Sequence, residues 1–164
     1  MIPELISCLD RTIAFLREQV ADLADEEMIL QPASIANHAV WTLGHVIYSF
    51  QAIAGELGVE PWLPEHWETG FGYGSSPSQS LSEYSRKPVM LETLEDAGYR
   101  LRAALLRIDE HDLADPLPDE DARKVLPTKA HALVQVIAGH TAYHAGQLAT
   151  WRRAIGRKPT GVFL

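Results

Sequence analysis

Two histidines one helical turn apart, near the C-terminal end of the chain, have the clearest potential for chemistry. His140 and His144 lie in the run His-Thr-Ala-Tyr-His-Ala-Gly-Gln-Leu, residues 140–148. Residues four apart share one side of an α-helix, so both imidazoles can point at the same place. The apolar residues on that side of the predicted helix, which direct it toward the core, are Leu133, Ile137, Leu148, Trp151 and Ile155. The pair could chelate a divalent cation, although a bare His-x-x-x-His is more often structural.

A third histidine would turn this pair into a metal site, and His45 is the candidate. It lies on a predicted second helix that we expect to run from an N-cap at Asn37 to about Leu57, where Gly58 ends it. Facing helices of a bundle lie about 8–10 Å apart, so His45 can meet His140 and His144 in the interior. Three protein ligands with an open position are typical of a catalytic zinc site.

The second helix carries two faces. One is aliphatic, and we expect it to meet either another helix or a second subunit. The other, which we expect to face the interior, consists of His38, Trp41, His45, Tyr48 and Ala52.

Three further helices are predicted from apolar residues spaced three and four apart. The first spans residues 2–24, the third begins with Pro88 and ends near Glu110, and the fourth runs from an N-cap at Thr128 to about Ile155. The sequence therefore predicts one all-α domain over residues 1–164, a four-helix bundle in which a crossover connection is permitted.

The connection over residues 59–87 is long and rich in glycine and aromatic residues, and it lacks a clear secondary-structure pattern. Two interpretations remain open. Its aromatic side chains either close the end of the bundle or wall a ligand pocket above a metal. With Trp41 of the second helix, the candidates for such a pocket are Trp67, Phe71 and Tyr73.

Composition excludes several classes of function. The 164 residues carry a net charge of −8, which argues against nonspecific binding to nucleic acid. No apolar run is long enough for a membrane span, and the N-terminus lacks the pattern of a signal peptide, so we expect a soluble cytoplasmic protein. Cys8 is the one cysteine, which excludes an internal disulfide and a zinc-finger site.

Other metal-site classes fit the sequence less well. A zinc protease of the His-Glu-x-x-His type needs a glutamate where this chain has Thr141. Di-iron bundles need Glu-x-x-His pairs, which the sequence lacks, and non-haem iron oxygenases need an inward carboxylate beside two histidines.

Three segments together resemble the DinB/YfiT-like superfamily, whose members are regarded as metalloenzymes. They are residues 37–45, Asn-His-Ala-Val-Trp-Thr-Leu-Gly-His; residues 66–74; and, most specifically, residues 140–148. The resemblance implies a four-helix bundle, commonly dimeric, that binds zinc or nickel, with iron or manganese as alternatives. It implies His45, His140 and His144 as the metal ligands. Ala145 stands where many members carry arginine.

Some similar proteins are transferases or isomerases that use low-molecular-weight thiols such as bacillithiol or mycothiol. The resemblance therefore implies a metal-dependent enzyme acting on a small molecule, of the thiol S-transferase type or a related hydrolase or isomerase. Gln147 and Tyr48, each one turn from a predicted ligand, are candidates to orient the site. Because no general acid or base is evident beside the histidines, a non-catalytic bundle that binds a metal or small ligand remains the alternative.

Overall fold

The fold is described from a computed structural model that covers residues 1–33, 35–158 and 160–161. Four long helices form the bundle: α1 (Ile2–Val20), α2 (Ala39–Gly55), α4 (Lys87–Leu105) and a final helix over residues 129–154. Two short helices, α3 (His66–Phe71) and α5 (Glu120–Arg123), lie in the connections. The part of the chain described here contains no β-strand, which confirms the all-α prediction. No helix in it is both long and apolar enough to span a bilayer.

The core lies between α1, α2, α4 and the final helix. α4 packs along α2, and α1 contacts both α4 and the final helix. The aliphatic face of α2 is buried in this way, by another helix of the same chain rather than by a second subunit. Its residues are Val40, Leu43, Ile47, Phe50 and Ala54.

Several predicted helix ends shift by a few residues. α1 stops at Val20 rather than near residue 24, and a 3-10 turn at Asp25–Ile29 follows it. α4 begins at Lys87, so Pro88 is its second residue; a missing N–H costs nothing there because first-turn amides have no partner within the helix. α4 also ends at Leu105, short of the predicted Glu110, and a 3-10 turn at Glu110–Ala114 follows.

The connection over residues 59–87 is more ordered than its sequence suggests. It contains α3 and a 3-10 turn at Leu81–Glu83. Trp67 and Phe71, both on α3, are buried against the bundle. Tyr73 is fully exposed, so its ring does not join them.

The final helix begins as predicted and then departs from regular α geometry. Thr128 is its N-cap, because its hydroxyl accepts the N–H of His131. After α6 (Lys129–Val134) the chain makes a π-helical segment, Gln135–His140, before α7 (Thr141–Ala154). Gly156, with φ of +81°, follows in the left-handed conformation that ends many helices. The π segment sets the rotation of His140 relative to α6.

Candidate metal centre

The three predicted ligands converge on one point. Nε2 of His140 lies 3.1 Å from Nε2 of His45 and 3.1 Å from Nε2 of His144. One ligand atom from each residue lies within 4.8 Å of the other two. The last residue of the π segment, the first turn of α7 and the middle of α2 thus bring three imidazoles together. We call these residues the histidine cluster.

The N-terminal end of α2 orients His45. His38 caps this helix, since its Nδ1 accepts the N–H of Trp41 at 3.2 Å. The predicted cap, Asn37, lies one residue too early; an imidazole nitrogen has taken the place of the usual amide or hydroxyl oxygen. Trp41 then stacks on the ring of His45, with centroids 4.9 Å apart and planes 8° from parallel. This stacking restricts rotation of the His45 ring.

Hydrogen bonds at the Nδ1 atoms, on the far side of the ring from Nε2, orient two of the three histidines. Nδ1 of His45 donates to the backbone carbonyl of Phe71 at 2.6 Å, and Nδ1 of His144 donates to Oε1 of Gln147 at 2.9 Å. An oxygen acceptor fixes the proton on Nδ1, which leaves Nε2 with a free lone pair for a metal. These contacts are typical of the outer partners of metal-binding histidines.

His140 differs from its neighbours. Its Nδ1 is buried and has no hydrogen-bond partner among the described residues. Without a cation, a proton on its Nε2 can be shared with either neighbouring Nε2 atom. A cation held by all three nitrogens would replace that single hydrogen bond.

The electrostatics of the cluster keep it neutral. Burial, and then the neighbouring His45, lower the pKa of His140 to about 4. Burial, and then His140 and His45, lower the pKa of His144 to about 4. Burial also lowers the pKa of His45. At neutral pH all three rings are therefore unprotonated at one nitrogen, as metal binding requires.

The spacing of the cluster fits a small divalent cation. Nitrogen ligands of tetrahedral zinc lie about 2.0–2.1 Å from the metal, and so roughly 3.3–3.4 Å from one another. The two separations that involve His140, 3.1 Å each, need only a small outward shift to reach this value. Three imidazoles are also the ligand set of a catalytic rather than a structural zinc site. The residues present therefore fit such a metal.

A comparison with protein families identifies the chain. The family model described as the DinB superfamily matches residues 9–148, which include all three histidines. The chain belongs to the DinB superfamily. No match was found among curated proteins.

A solved structure shows the same fold as this DinB-superfamily protein. It is described as the crystal structure of the conserved protein of locus from Enterococcus faecalis. The two chains are 22% identical and superpose with a TM-score of 0.78, over 96% of this chain and 98% of the other. At that identity the likeness shows the fold alone.

The remaining predicted residues of this DinB-superfamily protein divide into two groups. Gln147, Trp41 and Phe71 contact the histidine cluster as described above, and Trp67 packs on Phe71 with centroids 4.8 Å apart. Tyr48 is half-buried and lines a groove with Glu68, with no described contact to the cluster. Three histidines outside the cluster, His66, His111 and His131, are exposed.

A cavity of about 510 Å³ lies next to the centre. Gln147 forms part of its wall and at the same time accepts the hydrogen bond from His144. The other residues that line it are uncharged: Ile35, Ala36, Asn37, Tyr143, Gly146 and Thr150. Its size is that of a small-molecule site.

One important contact had no side-chain signal in the sequence. The carbonyl of Phe71 that holds His45 is a backbone group, which every residue carries. The sequence favours Phe71 for its ring, as a pocket wall. In the structure its main-chain carbonyl also contacts the histidine cluster.

Proposed function

We propose that this protein is a divalent-metal-dependent enzyme that acts on a small molecule, either as a low-molecular-weight thiol S-transferase or as a related hydrolase or isomerase. The convergence of three Nε2 atoms on one point carries this proposal. His45, His140 and His144 would hold the cation, with zinc or nickel preferred because imidazole suits both. When bound, such a cation supplies Lewis acidity that lowers the pKa of a coordinated thiol or water.

The ligand set itself favours an anionic partner for the metal. Three neutral imidazoles leave the charge of a divalent cation uncompensated, whereas a carboxylate ligand would offset part of it. The group of metal-binding side chains found among the described residues contains no Asp or Glu. With a divalent cation bound, a thiolate or hydroxide would therefore be stabilised more strongly here than at a mixed histidine–carboxylate site.

Residues around the cluster would bind and orient the substrate. His45 and His140 are each partly exposed, so a substrate would approach the cluster from their side. The neighbouring cavity has room for the non-reacting part of a substrate, and its uncharged lining favours a neutral group there. Gln147 borders this cavity while it holds His144, and so it would fix the ligand ring beside the substrate.

Cobalt substitution tests the proposal. We expect the protein to bind one Co(II), and expect bacillithiol, mycothiol or cysteine to add a sulfur-to-cobalt charge-transfer band to its absorption spectrum. His131→Ala, an exposed histidine on the same final helix, should behave as the wild type, whereas His144→Ala should show neither metal nor band. A cobalt-loaded protein that no thiol perturbs would contradict the thiol chemistry and favour a non-catalytic binding protein.

A further inference from the structure

Gly44, the residue before His45, is in unusually close contact with α3. A Cβ atom placed on Gly44 would lie 2.2 Å from both Cδ1 and Cε1 of the Phe71 ring, and 2.7 Å from its Cγ. Real Cβ atoms essentially never approach other heavy atoms below 3.0 Å. Glycine at position 44 is thus required for α3 to pack this closely on α2.

The ring that Gly44 admits belongs to the same residue whose carbonyl holds His45. Phe71 is the last residue of α3, and its backbone oxygen accepts the Nδ1–H of His45 at 2.6 Å. A side chain at position 44 would push the ring away, and the carbonyl is three bonds from that ring. The contact at Gly44 and the hydrogen bond to His45 are therefore mechanically linked.

Phe71 has little room in which to yield. Its side chain is buried, with the ring of Trp67 at 4.8 Å and the ring of Tyr84 at 5.9 Å between centroids. A tightly packed ring cannot simply rotate aside, so the displacement passes to the backbone of α3.

We propose that Gly44 is a positioning residue for the metal centre, because it docks α3 at the distance from which the Phe71 carbonyl orients His45 and keeps its proton on Nδ1. This inference rests on the proposed metal site. It gives part of the connection over residues 59–87 a defined role: the connection supplies a main-chain acceptor to a ligand on α2. The segment thus does more than close the end of the bundle.

The chain offers a matched control in Gly98. This glycine is buried on α4, and a Cβ atom placed there would lie 2.2 Å from Cδ1 of Ile13 on α1. The clash is as short as that at Gly44, but it falls on the end of an aliphatic side chain, in the contact between α1 and α4. Gly98→Ala should therefore perturb packing without reaching the histidine cluster.

The test compares zinc affinity in Gly44→Ala and Gly98→Ala, measured by competition with a chromophoric chelator, with urea unfolding of each variant alongside. We expect Gly44→Ala to bind zinc roughly 10–100-fold more weakly, the usual effect of losing an outer partner of a ligand. Gly98→Ala should stay within about 3-fold of the wild type. Equal affinities in the two folded variants would overturn the proposal.

A rescue separates positioning from general damage. Phe71→Ala keeps the carbonyl but removes the ring, whose atoms are the three nearest to a Cβ at position 44. In the Phe71→Ala background, Gly44→Ala should change zinc affinity by less than about 3-fold. A loss as large as in the wild-type background would show that the ring contact is not the cause.

A metal-independent measurement covers the case in which Gly44→Ala does not fold or the wild type binds no zinc. ¹⁵N NMR of the metal-free wild type should show His45 protonated at Nδ1. Protonation at Nε2 would overturn the inference whatever the metal result. A wild type with the expected proton position but no affinity for any divalent cation would instead defeat the proposed function and leave the docking of α3 intact.

Discussion

Two interfaces of the bundle are built differently: the interface between α1 and α4, and the interface between α2 and the final helix. The first buries leucines from both helices: Leu9, Leu16, Leu94 and Leu101. The second contains His45, His140 and His144, with their Nε2 atoms close to one another. The interface between α1 and α4 consists of apolar side chains that exclude water. The interface between α2 and the final helix contains three neutral imidazoles in its interior.

This difference separates stability from function. Apolar burial is the main favourable term in folding, and the core formed with α1 and α4 supplies it without any help from a cation. Buried imidazoles cost free energy unless their polar atoms are paired, and Nδ1 of His140 has no described partner. We therefore expect substitutions in the two interfaces to separate metal affinity from the free energy of unfolding.

The largest effect is expected at a ligand. His144→Ala should reduce metal affinity at least about 100-fold, because two neutral imidazoles hold a cation far less well than three. The fold should remain, since the apolar core is large enough without a metal. Metal content by mass spectrometry and the midpoint of urea unfolding measure the two quantities. A full complement of metal in His144→Ala, with His131→Ala as control, would show that the ligand assignment is wrong.

Leu101→Ala should have the opposite effect. Leu101 is completely buried on α4, and its truncation should lower the free energy of unfolding by about 2–5 kcal/mol. Metal affinity of the folded protein should change little. Urea unfolding and a zinc competition titration check both statements. A loss of zinc affinity as large as that of His144→Ala would mean that the two interfaces are not independent.

Gln147→Leu should produce an intermediate effect on metal affinity alone. The substitution keeps a side chain of similar size but removes the oxygen that accepts the Nδ1–H of His144. We expect a loss of roughly 10–100-fold in zinc affinity, measured by competition. Gln147→Glu retains an acceptor oxygen and is the matched control. Equal zinc affinities in Gln147→Leu and the wild type would show that Gln147 does not support the His144 ligand.

The last expected effect is a pH dependence of the stability of the metal-free protein. The pKa values of His140 and His144 are lowered to about 4 in the native state, against about 6.5 when unfolded. The unfolded chain therefore binds more protons between pH 6.5 and 4, so stability is fully present above pH 6.5 and declines as the pH falls through this window.

Urea midpoints at several pH values between 7 and 4 measure this decline, and the decline should be shallower in His144→Ala. His111 acts in the opposite direction, because Asp109 raises the pKa of its imidazole, so the difference between the two proteins is the informative quantity. Identical pH profiles for wild type and variant would contradict neutral burial of His144.

The sequence predicted the side chains of the centre better than their surroundings. His140 and His144 at helical spacing, and His45 on the second helix, could be recognised, because side-chain type and period both appear in the sequence. The cap at His38, the π segment before Thr141 and the carbonyl of Phe71 could not. An imidazole is an uncommon cap, a π turn depends on tertiary packing, and a backbone acceptor has no residue type. Gly44 did carry a signal of close packing on α2, since a glycine inside a helix costs stability and invites a packing explanation.

The most direct test of the account is X-ray absorption spectroscopy of the zinc-loaded protein at the zinc edge, with the stoichiometry measured on the same sample. We expect one zinc per chain, with imidazole scattering from three histidines and Zn–N distances of about 2.0–2.1 Å. Removal of one imidazole in His45→Ala should reduce that scattering or abolish binding. A zinc bound by oxygen alone, or one whose environment is unchanged in His45→Ala, would contradict a shared site between α2 and the final helix.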